Sequence, residues 1–339
     1  MRRVFAWIAI LLVGDMTSHL AAAANIADFS DYSLRDSRGR VLLPGRLFTP
    51  PEALTEPTSP RPLIVFLHGG GAIGTNNITQ VEHTPDYLLE EAKRRGAFLY
   101  VPQADSGWAT ISAVDSVMAM IDRAVGEKNV DANRLYATGY SNGGGGTWNL
   151  LSRNSRRFAA ALVISGVAPA AGFNAANLLS TAIITLHARD DATVPVARTR
   201  SVVNSILTAA GESSPSYPAA GSNLFLLVSN PHLAFHRELA ASGPADAGIN
   251  FLISRPDLDL IYFESPDGGH TGPPGAFFVP QVYDWMFAHS RAAPEPSTPF
   301  LALCGLSMIA IGRRGRSRFT SSLKSYDKQP DCGVVPGSQ

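Results

Sequence analysis

Cysteine is nearly missing from this 339-residue chain: there are two, Cys304 and Cys332, and both stand near the C-terminal end. Residues 25–293 therefore hold no disulfide, no cysteine-based metal site and no thiol nucleophile. An excess of charge of one sign is missing too. Lys plus Arg and Asp plus Glu each number 28, which argues against a nucleic-acid binder, whose domain carries a basic excess. The apolar run near the N-terminus, Val4 to Val13, is too short to span a bilayer comfortably. No collagen period runs through the 30 glycines and 24 prolines, and no internal repeat is evident. What is present is a 45% hydrophobic fraction, which excludes intrinsic disorder. The length allows two domains, although α/β folds of about 200–300 residues often form one.

Both ends stand apart from the fold. Met1-Arg2-Arg3, the apolar run and the small residues Ala21 to Ala24 read as an export signal, residues 1–24, cut after Ala23 or Ala24. A retained membrane anchor is the alternative. At the other end Pro294-Glu295-Pro296 leads into an apolar run from Phe300 to Ile311, then Arg313, Arg314, Arg316 and Arg318. A short apolar helix backed by arginines is a stop-transfer element. The order over residues 294–318 resembles the PEP-CTERM sorting signal of Gram-negative bacteria. That resemblance implies transient inner-membrane association through the C-terminal helix, exosortase processing, and release to the periplasm, cell surface or extracellular matrix. The polar tail 319–339 departs from the pattern, and a permanent C-terminal anchor is the alternative. Between the ends, residues 25–293 carry 20 basic against 24 acidic residues, so neither a polyanion nor a nucleic acid is expected as a partner.

Strand-like and helix-like runs alternate through this segment. A hairpin is expected over Tyr32–Phe48, and the Pro-rich stretch Pro50–Pro62 reads as an irregular connector. Leu63–Leu67 is a continuous apolar run, as in a strand buried on both faces. Further strands are expected at Phe98–Val101, Leu135–Tyr140, Ala160–Ile164, Ile183–Leu186 and Leu260–Phe263. Helices are expected over Thr84–Arg95 and Ser112–Val125, after Ser141 to about Asn154, and near 196–209 and 276–290. The alternation predicts a mostly parallel α/β sheet with helices on both faces. Residues 211–257 break the rhythm with a Pro-rich insertion, expected to hold a short strand near Leu224 and a helix near His232. Such an insertion is either a lid or a surface excursion. Its apolar run Leu224–Val228 favours a partial lid packed on the rim of the site.

The chemistry-bearing motifs fall at strand ends. Gly139-Tyr140-Ser141-Asn142-Gly143 is a G-x-S-x-G between a strand and a helix, which puts a serine on a strained turn beside the positive end of the helix. His68-Gly69-Gly70-Gly71 follows a strand, and its glycines free backbone N–H groups to form an oxyanion hole. Gly70 is the expected donor, with Gly71 as the alternative, paired with the N–H of Asn142. A serine needs a base, and the base an orienting acid. Asp191 opens a D-x-x-V-P turn, with Asp190 its rival, and His270 lies on the loop Asp267–Gly272 after the last strand. The order Ser141, Asp191, His270 is that of α/β-hydrolases. His68, His187 and His289 read as structural. His232 and His236 lack a third metal ligand. Trp108 is either a pocket wall or core.

These residues together resemble the α/β-hydrolase serine esterases, in particular the feruloyl-esterase and polyhydroxybutyrate-depolymerase-like group and the related phospholipase/carboxylesterase-like "predicted peptidases". The likeness covers roughly residues 60–210 and 258–290 and departs from the pattern at Ala188 and Gly145; four consecutive glycines, Gly143–Gly146, are expected to loosen the helix behind Ser141. It implies ester hydrolysis through an acyl-enzyme on Ser141, with no metal or cofactor, on a small-molecule or polymeric ester, with an extracellular acylated polysaccharide or a polyester as the expected substrate. A secreted serine peptidase of the same fold and a non-catalytic surface binding protein are the alternatives. The end signals carry their own test. Intact-mass measurement on protein from its native host should show a start near Asn25 and loss of residues beyond about Pro296, and a full-length C-terminus would mark a permanently anchored protein instead.

Overall fold

The computed structural model describes residues 24–154, 156–219, 226–227, 251–255, 258–271 and 280–291. The sorting signal, the polar tail, nearly all of the export signal and most of the 211–257 insertion lie outside the described residues, as do His232 and His236. Among the described residues no helix is long and apolar enough to cross a membrane.

Twelve strands are described: β1 (Ser30–Asp31), β2 (Leu34–Arg35), β3 (Val41–Leu43), β4 (Gly45–Phe48), β5 (Arg61–Leu67), β6 (Phe98–Pro102), β7 (Val130–Tyr140), β8 (Ala160–Ile164), β9 (Ala182–Ala188), β10 (Leu226–Leu227), β11 (Phe251–Arg255) and β12 (Leu260–Ser265). Ten form one sheet in the order β1-β4-β6-β5-β7-β8-β9-β12-β11-β10. The run from β6 to β12 is parallel, while β1, β4 and β11 pair antiparallel with their inner neighbours. The helices are α1 (Pro51–Thr55), α2 (Thr79–Glu82), α3 (Asp86–Arg94), α4 (Ile111–Glu127), α5 (Asn142–Arg153), α6 (Ala197–Ala209) and α7 (Pro280–Ala288).

The continuous apolar strands follow from burial on both faces. Along β5 the side chains alternate between two cores: Leu63, Val65 and Leu67 pack with α4, α5 and α6, whereas Ile64 and Phe66 pack with α3 and α7. Leu63, Ile64, Val65 and Leu67 are fully buried, and each such side chain contributes about 1.5–3 kcal/mol of transfer free energy. The sheet is therefore committed to two helical layers, as the alternation of strands and helices predicts.

Two expectations need correction, and the short strand expected near Leu224 is found. The connector Pro50–Pro62 is not wholly irregular, because α1 begins at Pro51, where a proline at the first helical position lacks only a hydrogen bond that no helix would supply there. The hairpin is narrower than expected: β2 and β3 pair around residues 36–40, while β1 and β4 join the main sheet. Within the insertion, Leu226–Leu227 pairs in parallel with β11, and β11 pairs antiparallel with β12. That part of the apolar run extends the sheet edge. The remainder of the proposed lid lies outside the described residues.

The glycine run also behaves differently from the expectation. A Cβ on Gly143 would stand 1.8 Å from Leu67 O, one on Gly144 2.6 Å from Gly166 Cα, and one on Gly146 2.4 Å from Trp108 Cβ. These glycines let α5 lie directly against β5, the loop after β8 and Trp108, so close contact outweighs their poor helix propensity. Gly144→Ala tests the balance. Propensity alone would stabilise that variant by about 1 kcal/mol, whereas overpacking costs about 1–3 kcal/mol and occasionally more. Because the clash is with backbone, we expect a lower denaturant midpoint; a raised midpoint would restore the loosened-helix reading.

Candidate active site

Ser141 sits where β7 ends and α5 begins, with φ 57° and ψ −116°. A non-glycine residue in that region is strained by about 1–3 kcal/mol, and the fold holds it there by three backbone bonds. Ser141 N donates to Ile164 O at 3.0 Å, and Ser141 O accepts from Gly145 N and Val167 N, each at 3.1 Å. Serine at the start of a helix ordinarily caps it, yet this side chain makes no cap bond. Its Oγ meets His270 Nε2 at 2.9 Å instead.

The other ring nitrogen of His270, Nδ1, lies 2.6 Å from Asp191 Oδ2. The Asp191 side chain is fully buried. Its Oδ1 accepts from the N–H groups of Thr193 and Val194 at 2.9 and 2.8 Å, so the D-x-x-V-P turn folds around its own carboxylate. Burial works to raise the Asp191 carboxyl, but the bonds from His270 and Val194 and the nearby imidazoles outweigh it and hold it below its ordinary value. The structure thus brings together the serine, the histidine and the acid expected from their loops. Asp190 is placed elsewhere: its Oδ1 accepts from Gly269 N at 2.7 Å.

The oxyanion candidates lie at two helix starts. The first backbone bond within α5 is made by Gly145, which leaves the N–H of Asn142 at the open, positive end of the helix. Gly70 and Gly71 begin a 3-10 turn whose first donor is Ala72, bonded to Gly69 O at 3.2 Å. A Cβ on Gly70 would meet nothing within 4 Å, whereas one on Gly71 would press on His83 at 3.0 Å. The Cα of Gly70 therefore borders open space, whereas that of Gly71 is closed off by His83.

Two residues resolve as scaffold. His68 is fully buried; its Nδ1 donates to Gly69 O at 2.7 Å and its Nε2 accepts from Ala104 N at 3.1 Å. Burial depresses its pKa to about 4, so the ring stays neutral. Trp108 is core, not pocket wall: it is fully buried, its indole N–H donates to His68 O, and its backbone N–H holds Asn142 Oδ1 at 3.0 Å. Two contacts went unread in the sequence. His187 Nε2 lies 3.2 Å from Asp191 Oδ2 and 2.8 Å from Val194 O, while its Nδ1 meets Thr199 Oγ1 at 2.7 Å. The Tyr140 ring packs on His270 with centroids 4.9 Å apart. The one clue to His187 is its position four residues before Asp191 at a strand end. Among the described residues no cluster of side chains fits a metal ion.

No protein-family model matches the chain. Over 112 residues it is 34% identical to a probable feruloyl esterase C of Aspergillus oryzae, a match covering 32% of this chain and 41% of that protein. Feruloyl esterase C of Emericella nidulans is 30% identical over 114 residues, 33% of this chain and 42% of the relative. The match thus spans about two fifths of the curated relatives' length. Among solved structures, a thermostable esterase superposes with TM-score 0.56 at 24% identity, covering 78% of this chain and 64% of that one. A putative dipeptidyl aminopeptidase IV from Bacteroides ovatus superposes with TM-score 0.50 at 14% identity, covering 77% of this chain and 36% of that one. Likeness at this identity shows the fold, and the fold is that of the α/β-hydrolases.

The buried imidazoles make stability depend on pH. Folded His68 binds its proton only near pH 4, and burial lowers His187 as well, whereas an unfolded histidine takes one below about 6.5. Their contribution is complete above about pH 6.5 and is lost as the pH falls towards 4, with His68 alone worth on the order of 3 kcal/mol. The Asp191 carboxyl acts at lower pH and does not enter this window. Unfolding measured at pH 7 and 4.5 should show the loss, and His68→Gln should flatten the slope. Equal slopes in the two proteins would mean that His68 is not the neutral buried group described here.

Proposed function

We propose that the chain is a serine esterase that cleaves carboxylic esters through an acyl-enzyme on Ser141. The observation that carries this reading is the continuous chain from Ser141 Oγ through His270 to the buried Asp191, at 2.9 and 2.6 Å. His270 Nε2 takes the serine proton as Oγ attacks the ester carbonyl, and Asp191 holds the proton on Nδ1 and stabilises the imidazolium. The N–H groups of Gly70 and Asn142 receive the oxyanion, a stabilisation of about 3–4 kcal/mol for one such donor. His270 then gives its proton to the leaving alcohol, and water attacking by the same route frees the acid.

Two clefts are lined by residues close in the chain to those that hold the site. A cleft of about 740 Å³ takes in Asp31, Leu42, Arg46, Asn77, Asp105 and Ser106; the last two stand shortly before Trp108, whose N–H donates to Asn142 Oδ1. A cleft of about 310 Å³ is lined in part by Ala168, Pro169, Phe173, Pro195 and Val202; Ala168 follows Val167, which holds Ser141 O. With the curated relatives being feruloyl esterases, an aromatic acyl ester of an extracellular polysaccharide heads the substrates to test. The leader and tail support action outside the cytoplasm.

Ser141→Ala should lower kcat by about four orders of magnitude or more while the circular dichroism spectrum stays that of the wild type. Near-normal hydrolysis by that variant would remove Ser141 as the nucleophile. The panel should include p-nitrophenyl acyl esters, feruloylated and acetylated polysaccharides, a polyester and peptide anilides. Faster turnover of the anilides would turn the reading to a peptidase.

A further inference from the structure

His270 stands on backbone that regular structure does not hold. Strand β12 ends at Ser265, and the last backbone bond that ties this strand end across the sheet runs from Arg189 N to Ser265 O at 2.9 Å. Beyond it Gly268 and Gly269 take φ values of 110° and 56°, so the chain turns on two glycines immediately before the histidine. Among the described residues, no backbone-to-backbone bond links residues 266–271 to the rest of the protein. A base must nevertheless meet both Oγ and the acid within a few tenths of an ångström, because misplacement by about 1 Å can cost a hundredfold in rate.

Two side chains supply the missing hold. Asp190 Oδ1 accepts from Gly269 N at 2.7 Å. The Tyr140 hydroxyl donates to His270 O at 2.7 Å, and its ring lies tilted 34° against the imidazole. The bonds grip the chain on both sides of His270: one holds the peptide unit between Gly268 and Gly269 by its N–H, the other the unit that follows His270 Cα by its C=O. Each tether is also the residue directly before a member of the site, Tyr140 before Ser141 and Asp190 before Asp191. Any shift of the elbow or of the acid turn therefore carries the histidine loop with it. Ser141 and Asp191 set where the imidazole must point; their neighbours set where its backbone stands.

We propose that Tyr140 and Asp190 are positioning residues that clamp the His270 loop from the nucleophile side and the acid side. The proposal rests on the esterase reading for its kinetic consequence, but the clamp is a structural claim with its own readout. Asp190 is exposed, so its replacement leaves the core untouched.

The test compares the full chain with Tyr140→Phe, Asp190→Ala, Asp190→Asn and the double variant Tyr140→Phe/Asp190→Ala. Asparagine keeps an oxygen that accepts from Gly269 N but removes the charge, and phenylalanine keeps the ring but removes the hydroxyl. We expect Asp190→Ala and Tyr140→Phe each to lower kcat about tenfold with KM within about twofold, the pattern of an interaction that matters in the transition state. Asp190→Asn should stay within about threefold of wild type, and the double variant should lose at least as much as the worse single one. Labelling of Ser141 by a fluorophosphonate should slow in proportion to kcat. Amide exchange in the peptide spanning 266–271 should quicken in Asp190→Ala and in the double variant but not in Asp190→Asn, with the unfolding midpoint unchanged. Unchanged kcat and unchanged exchange in both single variants would overturn the clamp. An Asp190→Asn variant as impaired as Asp190→Ala would overturn it too, because charge rather than the tether would then matter. A wild-type protein that neither hydrolyses esters nor takes the label at Ser141 would defeat the esterase reading instead. The clamp would then stand or fall on amide exchange alone.

Discussion

The site depends on how closely one turn of backbone approaches another. Gly143 lies so near Leu67 O that no side chain fits between them, and a Cβ on Gly139 would stand 2.3 Å from Gly143 O. This contact presses the first turn of α5, which carries Asn142, onto the end of β5, the strand that leads into the loop carrying Gly70. A larger residue at either glycine would separate them. The spacing between these two chain segments is thus set by packing before any substrate arrives, and preorganisation of that kind is what makes backbone donors effective. Beneath them His68 and Trp108 are locked together, the indole bonded to His68 O and the imidazole to Ala104 N.

On the other side of Ser141 the problem is electrostatic rather than steric. A fully buried carboxylate is costly unless its oxygens are bonded, and Asp191 has the two turn N–H groups on one oxygen and His270 on the other, with His187 3.2 Å from that second oxygen. His187 is held neutral by burial, so it can donate without adding a charge that would compete with an imidazolium on His270. The strand that leads to His270 is fixed by a second buried carboxylate. Glu264 on β12 takes a bidentate pair of bonds from Arg200 on α6, at 2.6 and 2.7 Å, and a third from the Tyr262 hydroxyl at 2.6 Å. Removing one partner of such a buried pair costs more than the pair contributes, which makes this a point of register for β12 rather than a source of net stability.

The sequence discloses the sheet and the loops that carry chemistry because both leave local signs: apolar runs of strand length, and glycines at strand ends. Ser141 and His270 could be named for that reason, and Asp191 from the D-x-x-V-P turn that it opens. What stayed hidden depends on partners distant in the chain. Nothing around residue 144 announces that Gly166 will lie against it, so the glycine run read as a weakness of the helix. Trp108 offered two roles, because only the folded loop shows its ring under Gly146. Tyr140 and Asp190 read as spacer and rival, since their bonds reach 130 and 79 residues along the chain. The prolines of 50–62 misled for another reason: a proline excludes helix continuation but favours helix initiation, and Pro51 does the latter.

Local costs collect where the chemistry is placed. Ser141 sits in strained backbone and leaves α5 without its side-chain cap, a loss of about 1 kcal/mol on top of the strain. The glycines of α5 add their own propensity cost, and the histidine stands on a loop with two positive-φ glycines. Each of these would relax if the residue were free to do so. They persist because the neighbouring strands cannot yield: β5, β7 and β8 are buried on both faces over most of their length, and the elbow is bonded to both Ile164 and Val167. The stability of the central sheet thus holds a serine hydroxyl away from its helix and towards an imidazole. Strain at residue 141 is a consequence of that rigidity, and the same rigidity fixes the distance across which a proton would pass.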